Sequence, residues 1–387
     1  MKPRILHAIT VYNGRAFVPA AIDSALRMDQ TDAEVDVLIL DDASPEPGFS
    51  EAIQAYCDAK GALYYRTPRN LGIPRNVNLG LMTAVSRGYD YVTINNSDVL
   101  FPKNLISVML KAFEAENVGS VTAWSNNVSI YSVPNADPDQ YLSNQETVDF
   151  VSETFADLFG TDPLDIPAGI SFCIMMPVSV IRTVGVMDPI FGRGYCEETD
   201  WSLRSLKAGF RICLAPGAFV YHMGRGSNLA AGLVSAHHTT VPENEAVIDM
   251  RHPTFRTEVL AFERAGDNDR LKDRAIKGIV SAAAARHGYV IELGWGRRSV
   301  DVGPDVVRVR IMNDGPTPSI SYAYRGFEHA TRIPEGDVTA EIAARFQGRA
   351  ALVNLYDPLD GKGDGEASGQ DAGSYPMPFW VSGHVSS

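Results

Sequence analysis

EVDVLILDDAS, residues 34–44, decides how the first part of this chain is read. Five apolar positions out of six are followed at once by two aspartates and a serine. A run without polar alternation is a strand covered on both faces, as in a parallel sheet. The same shape recurs on either side, in RILHAITVYN (4–13) and YVTINNSD (91–98). Helical spacing lies between these runs, in AFVPAAIDSALRM (16–28), PGFSEAIQAYCDAKG (47–61) and NLGIPRNVNLGLMTAVSRG (70–88), with a short strand ALYYRTP (62–68). Strand and helix in alternation define an α/β chain with a mostly parallel sheet and helices on both faces. Ligands of such sheets bind at the carboxyl ends of the strands. Three strands here end in polar side chains: Tyr12-Asn13, Asp41-Asp42 and Asn96-Ser97-Asp98. One strand end of this kind is a turn or a helix cap; three in succession mark a site.

The 387 residues are 45% hydrophobic, enough for a large core and for one or two domains. A net charge of −13 excludes a general nucleic-acid binder, which gains affinity from Lys and Arg patches. Cys57, Cys173, Cys196 and Cys213 form no CxxC pair and are read as free thiols of a reducing compartment. MKPRILHAITVYNG reads as a first strand rather than a signal peptide, and no apolar run is long enough to span a bilayer. A cytoplasmic protein is expected. Further along, residues 134–165 read as loop, broken by Pro134, Pro138 and Pro163, and RICLAPGAFVYH (211–222) reads as strand, turn and strand. Past residue 265 the pattern changes to an Ala-rich helix and then short alternating runs, YVIELGW and DVVRVRIM, read as antiparallel strands. Residues 1–265 are therefore expected to form one domain and 266–387 a small C-terminal α+β module, whose tract 361–374 reads as a mobile loop.

The chemistry follows from residue types. Asp98 at a strand end suits Mg²⁺ or Mn²⁺, hard cations that take oxygen ligands and the phosphates of a substrate. Asp41 and Asp42 can accept hydrogen bonds from a base or a ribose. Arg75 and Asn78 open a helix, where a phosphate is favoured. No GxGxxG fingerprint follows the first strand, against a nicotinamide or flavin enzyme. The stretch GYCEETDWSLR (194–204) crowds Glu197, Glu198 and Asp200 beside Trp201. Acids in a first helical turn suit the helix dipole, and Asp200 can pair with Arg204 four residues on. Two adjacent carboxylates go beyond that need; crowding and burial raise carboxyl pKa values into the range of a general base. Trp201 offers an apolar platform for a sugar ring.

In their order ITVYNG, LILDDAS, NLGIPRNVNLG, INNSDVLFP, VGVMDPIFGRGYCEETDWSLRSLKAGFR and VYHMGRGS, the motifs of residues 3–230 resemble those of family 2 inverting glycosyltransferases of the GT-A fold. The resemblance implies a nucleotide-diphosphate-sugar donor, a divalent cation and a hydroxyl acceptor on a glycan or lipid-linked carrier. It implies that Tyr12 and Asp41 line the nucleoside pocket and that Arg75 and Asn78 lie near ribose and diphosphate. Asn96-Ser97-Asp98 stands for the DxD motif, with Asn96 in place of its first aspartate. Asp98 would bind the metal and His222 complete it, while Glu198 would be the base and Asp200 and Trp201 would shape the acceptor side. By analogy the setting is polysaccharide biosynthesis; a homo-oligomer and peripheral contact with the inner face of a membrane are compatible with it. Two alternatives stand beside this reading. A sugar-phosphate nucleotidylyltransferase would carry a Gly-rich basic loop after the first strand, where VYNGRAF is a poor version. A degenerate, non-catalytic sugar- or partner-binding protein would have no need of the acids at 197, 198 and 200.

Overall fold

The computed structural model describes residues 2–134, 142–224, 241–293, 305–312, 319–332 and 350–355. The chain divides into two compact units, Met1–Lys272 and Asp273–Ser387.

The first unit is built on β1 (Arg4–Val11), β2 (Glu34–Asp41), β3 (Leu63–Arg66), β4 (Tyr91–Asn95), β6 (Val118–Trp124), β7 (Leu164–Asp165), β8 (Cys173–Pro177) and β9 (Arg211–Phe219). They form one mixed, mostly parallel sheet in the order β3-β2-β1-β4-β8-β6-β9-β7. β3, β2, β1 and β4 run parallel, and β8 lies antiparallel to β4 and β6. A two-stranded ribbon pairs β5 (Val99–Leu100) with β10 (Tyr221–His222). The helices of this unit are α1 (Val18–Leu26), α2 (Phe49–Lys60), α3 (Ile73–Arg87), α4 (Leu105–Lys111), α5 (Gln145–Phe159), α6 (Val178–Val184), α7 (Glu197–Lys207), α8 (Pro242–Arg251) and α9 (Phe255–Ala265). The chain leaves the unit within α10 (Asp267–His287). No described helix is long and apolar enough to cross a membrane.

The central strands are mainly apolar because both faces are covered. Ile5, Leu6, Ala8 and Ile9 of β1 are all buried, with helix α3 packed so closely that a Cβ on Gly80 would stand 3.2–3.3 Å from Ala8, Ile94 and Leu40. His7 is the ionisable exception. It is fully buried, its Nδ1 lies 2.7 Å from the Thr93 hydroxyl, and its ring meets Phe101 edge-on at 4.5 Å. Burial pushes its pKa down to about 3. A lowered histidine pKa stabilises the fold above the unfolded value and loses that contribution as pH falls from 6.5 towards 3. At pH 4 the loss is about 3 kcal/mol. Acid titration of the melting temperature should therefore be shallower for His7→Leu than for the natural chain; equal slopes would contradict the assignment.

Three sequence expectations are corrected. Residues 134–165 are not all loop: α5 spans fifteen of them, capped by the Asn144 side chain on the N–H groups of Glu146 and Thr147. The prolines at 134, 138 and 163 bracket this helix without entering it, and Thr147, Val148, Phe150, Val151 and Phe155 form its buried stripe. Residues 211–219 form one strand rather than strand, turn and strand. Between Thr122/Leu214 and Trp124/Phe219 four residues of β9 oppose one of β6, so Pro216 sits in a bulge where no ladder donor is needed.

In the second unit β11 (Tyr289–Leu293), β12 (Val307–Met312), β13 (Ser319–Tyr324), β14 (Phe327–Arg332) and β15 (Ala350–Leu355) form a sheet in the order β14-β13-β12-β11-β15. The third correction lies here: β11 runs parallel to both β12 and β15, and only β12, β13 and β14 are antiparallel. Tyr289, Val290 and Ile291 are buried in succession, as a strand flanked by two parallel neighbours requires. The tract 361–374 lies outside the described residues.

Candidate functional site

Parallel registry brings the polar strand ends to one edge, since Val11 is level with Asp41 and Ile9 with Asn95. At the end of β2 the two aspartates turn apart. Asp41, fully buried, accepts hydrogen bonds from the Ser44 N–H (2.9 Å) and hydroxyl (2.6 Å), the Ser50 hydroxyl (2.6 Å) and the Tyr64 hydroxyl (2.7 Å). Asp42 accepts from the N–H groups of Leu71 (2.8 Å) and Gly72 (2.9 Å) and from the Thr67 hydroxyl (3.1 Å). Burial raises its pKa against these donors. Asp42 thus holds the loop that enters α3. Tyr12 is half-buried at the end of β1, and Arg75 is exposed on the first turn of α3. Asn78 is occupied differently from the expectation: its amide brackets the Met187 backbone, donating to the carbonyl (2.8 Å) and accepting from the N–H (2.9 Å).

The β5–β10 ribbon aligns His222 with Val99 and so places its ring on Asp98. Nε2 of His222 stands 3.3 Å from Asp98 Oδ1 and 3.2 Å from the Asn96 amide nitrogen. Nδ1 lies 2.7 Å from the Asn127 carbonyl, which can only accept, so Nδ1 carries a proton and Nε2 faces the carboxylate. Burial would lower the pKa of His222; the Asp98 charge and hydrogen bond, with the Asn127 carbonyl, outweigh it and leave the pKa raised. Asn126 grips the backbone of His222 on both sides, donating to its carbonyl (3.0 Å) and accepting its N–H (2.8 Å), while Phe172 stacks on the ring at 5.5 Å. Asn126 and Asn127 were not singled out from sequence, although they end β6 just as the flagged polar residues end their strands.

No group of three or more His, Cys, Asp or Glu side chains able to hold a metal occurs among the described residues. A buried carboxylate and an imidazole nitrogen facing one another nevertheless fit a cation whose remaining ligands are phosphate oxygens and water.

The third cluster is the start of α7. Glu197 is buried and Glu198 half-buried, and Oε2 of each lacks a hydrogen-bond partner. Burial raises both pKa values, that of Glu197 strongly and with a contribution from the Glu198 charge; N–H groups of Tyr195, Glu197, Glu198 and Thr199 offset part of this. The loop before them is strained: Tyr195 and Cys196 both have φ of 73°, a left-handed conformation uncommon for side-chain-bearing residues. This loop abuts the one that Asp42 holds. The Ile73 N–H donates to the Arg193 carbonyl (3.0 Å), and a Cβ on Gly72 would stand 2.4 Å from the Gly192 oxygen. The exposed Arg75, on the first turn of α3, and the exposed Arg193 thus lie on adjoining segments.

The two remaining residues of GYCEETDWSLR are corrected. Trp201 is fully buried and its Nε1 donates to the Gly185 carbonyl (2.8 Å), so it offers no face to a sugar. Asp200 is also buried and is held by two arginines, Arg204 Nε at 2.8 Å and Arg251 Nη1 at 3.3 Å, and by His252 Nε2 at 3.1 Å. Burial would raise its pKa, but these partners hold it below the ordinary carboxylate value. Asp200 therefore ties α7 to α8 instead of facing an acceptor. Its contribution is present above the ordinary carboxylate pKa and lost as pH falls through the lowered one. Asp200→Asn should cost about 2–3 kcal/mol, less than a fully buried pair because both arginines are partly hydrated. Thermal melting checks this, and an unchanged melting temperature would contradict it.

A doubly covered, mostly parallel sheet with a carboxylate–histidine pair at its polar strand ends, and a raised-pKa acid pair opening helix α7, is GT-A-like in plan. Residues 8–185 match the family model described as Glycosyl transferase family 2, and the chain carries a glycosyl transferase family 2 domain. No curated protein matches the chain. Among solved structures it is similar to the mannosyltransferase PcManGT from Pyrobaculum calidifontis in complex with GDP-Man and Mn²⁺, at 16% identity and TM-score 0.46, over 74% of this chain and 76% of that one. GalNAc-T7 with UDP, GalNAc and Mn²⁺ is similar at 14% identity and TM-score 0.45, over 57% of this chain and 44% of that one. S. aureus TarS 1-349 is similar at 15% identity and TM-score 0.41, over 73% and 81%.

Proposed function

We propose that the protein transfers a sugar from a nucleotide-diphosphate donor to an acceptor hydroxyl with inversion at the anomeric carbon. The observation that carries the reading is the paired arrangement at the strand ends and α7: a cation-ready Asp98–His222 pair and, on α7, two crowded carboxyls of raised pKa. Glu198, the less buried of the two acids, takes the proton from the acceptor hydroxyl as that oxygen attacks the anomeric carbon from the side opposite the diphosphate. Glu197, buried behind it, keeps the local charge low by favouring its own protonated form. The exposed Arg75 pairs with phosphate oxygens as the donor enters. Asp98 and His222 would hold Mg²⁺ or Mn²⁺, which supplies charge neutralisation of the leaving diphosphate. The GDP-Man, UDP and Mn²⁺ of the similar structures are consistent with this donor class.

The acceptor is a glycan or a lipid-linked carrier, and the second unit is an accessory module. Incubation with a panel of nucleotide sugars and free-sugar acceptors, with product anomers read by NMR, tests the proposal. Transfer with inverted configuration supports it. Retained configuration would contradict the inverting displacement, and no turnover of any donor by protein that binds nucleotide would favour the non-catalytic alternative.

A further inference from the structure

Three backbone carbonyls converge on one buried side chain just before the acid pair. Asn244, on the first turn of α8, directs Nδ2 at the carbonyls of Gly194 (2.8 Å), Tyr195 (2.9 Å) and Phe191 (3.1 Å). An amide nitrogen has two hydrogens, so one is shared between two acceptors. Two of the three residues it holds, Gly194 and Tyr195, lie in a run of positive φ. Gly192 and Gly194 have positive φ, and the non-glycine pair Tyr195-Cys196 follows with φ of 73° at each. The Cys196 carbonyl accepts the Asp200 N–H of α7 (2.9 Å), and the Phe191 carbonyl accepts the Gly194 N–H (3.0 Å) as well as the Asn244 amide. Buried carbonyls without donors are costly, and a side chain reaching in from another helix satisfies them. Phe191, Leu203 and Ile248 pack into a small apolar cluster that seats α8 against this loop, with Cys196, Val247 and Phe255 around it.

We infer that Asn244 is a positioning residue for the catalytic acids: it holds the left-handed turn at Tyr195-Cys196 that sets where Glu197 and Glu198 emerge at the start of α7. The inference rests on the reading of Glu198 as the base. Asn244 touches neither acid; it acts through the 191–196 backbone. The N–H of Tyr195 faces the Glu197 carboxylate while the carbonyl of the same residue is held by Asn244, so the turn is gripped on both sides. Without the amide, Tyr195 and Cys196 can relax to negative φ, and the first turn of α7 shifts with them. A displacement of about 1 Å at a reacting group costs on the order of 100-fold in rate. The Asp98–His222 pair lies on other elements and should not move.

The test compares the full chain with Asn244→Ala, with Asn244→Ser as a milder version that keeps one donor, and with Asn244→Ala/Cys196→Gly. Three quantities are read: transfer kinetics, Mn²⁺-dependent nucleotide affinity, and amide hydrogen exchange across residues 191–198. The expected result is a fall in kcat of about 10- to 100-fold in Asn244→Ala and a smaller fall in Asn244→Ser. KM for the donor and nucleotide affinity should stay unchanged, and exchange should quicken in the loop alone. Glycine adopts left-handed φ without a Cβ penalty, so Cys196→Gly should restore part of the lost kcat. A folded variant with natural kcat and natural loop exchange overturns the inference, as does parallel loss of kcat and nucleotide affinity. If the natural chain itself transfers no sugar, the catalytic reading fails; faster loop exchange in the variant would still support the hold of Asn244 on the turn, and unchanged exchange would overturn that too.

Discussion

Glu198→Gln is expected to lower kcat by about 10²- to 10⁴-fold while leaving nucleotide binding and folding intact. Glutamine keeps the volume of the side chain at the second position of α7 and removes only its charge. The charge is what the reaction uses, because the acceptor hydroxyl must lose its proton as it attacks. It is also what the fold tolerates least. Glu197 is buried and Glu198 half-buried, and burial favours the protonated form of each. A carboxyl whose folded pKa is raised destabilises the native state as pH rises through that value. Glu198→Gln removes this cost, so its melting temperature at neutral pH should equal or exceed that of the natural chain. Activity lost with stability kept separates a catalytic acid from a structural one. Lost nucleotide binding would point to a structural role. The natural chain should also show a kcat that rises with pH through a value above the ordinary glutamate range, since only the ionised base accepts the proton.

Asp98→Ala is expected to remove most of the metal-dependent part of nucleotide affinity, a loss of at least about 10- to 100-fold in the presence of Mn²⁺. Asp98 supplies the carboxylate and His222 the imidazole, 3.3 Å apart. Without the carboxylate, the imidazole has too few companions to hold a hard cation that prefers oxygen. The metal-free affinity should change little, because Asp42, the loop at 67–72 and Arg75 belong to other strands and loops. Isothermal titration with and without Mn²⁺ reads both quantities. An affinity in Mn²⁺ equal to that of the natural chain would remove Asp98 from the metal site.

The sheet and its site edge were legible because both follow from local pattern. Unbroken apolar runs gave β1, β2 and β4, and the same runs ended in the residues that parallel registry brings level. Asp98 and His222 stand far apart in sequence, and the ribbon of β5 and β10 joins them; the family resemblance, not any spacing, pointed to that pair. What stayed hidden depends on long-range partners. Trp201 beside three acids looks like a sugar platform until its indole is found buried against Gly185. Asp200 looks like a third active acid until Arg251 and His252 arrive from a helix some fifty residues on. Asn244 carries no sequence signal, since its role exists only where three carbonyls meet. The residue pattern in Tyr289–Leu293 and Val307–Met312 announced strands without revealing that the two run parallel to each other.

The most direct test of the central claim is isothermal titration of the purified chain with UDP, GDP and dTDP, with and without Mn²⁺. Selective binding of one nucleoside diphosphate, strengthened by Mn²⁺, is the result predicted. No binding of any of the three by well-folded protein would contradict the donor site and with it the proposed transfer reaction.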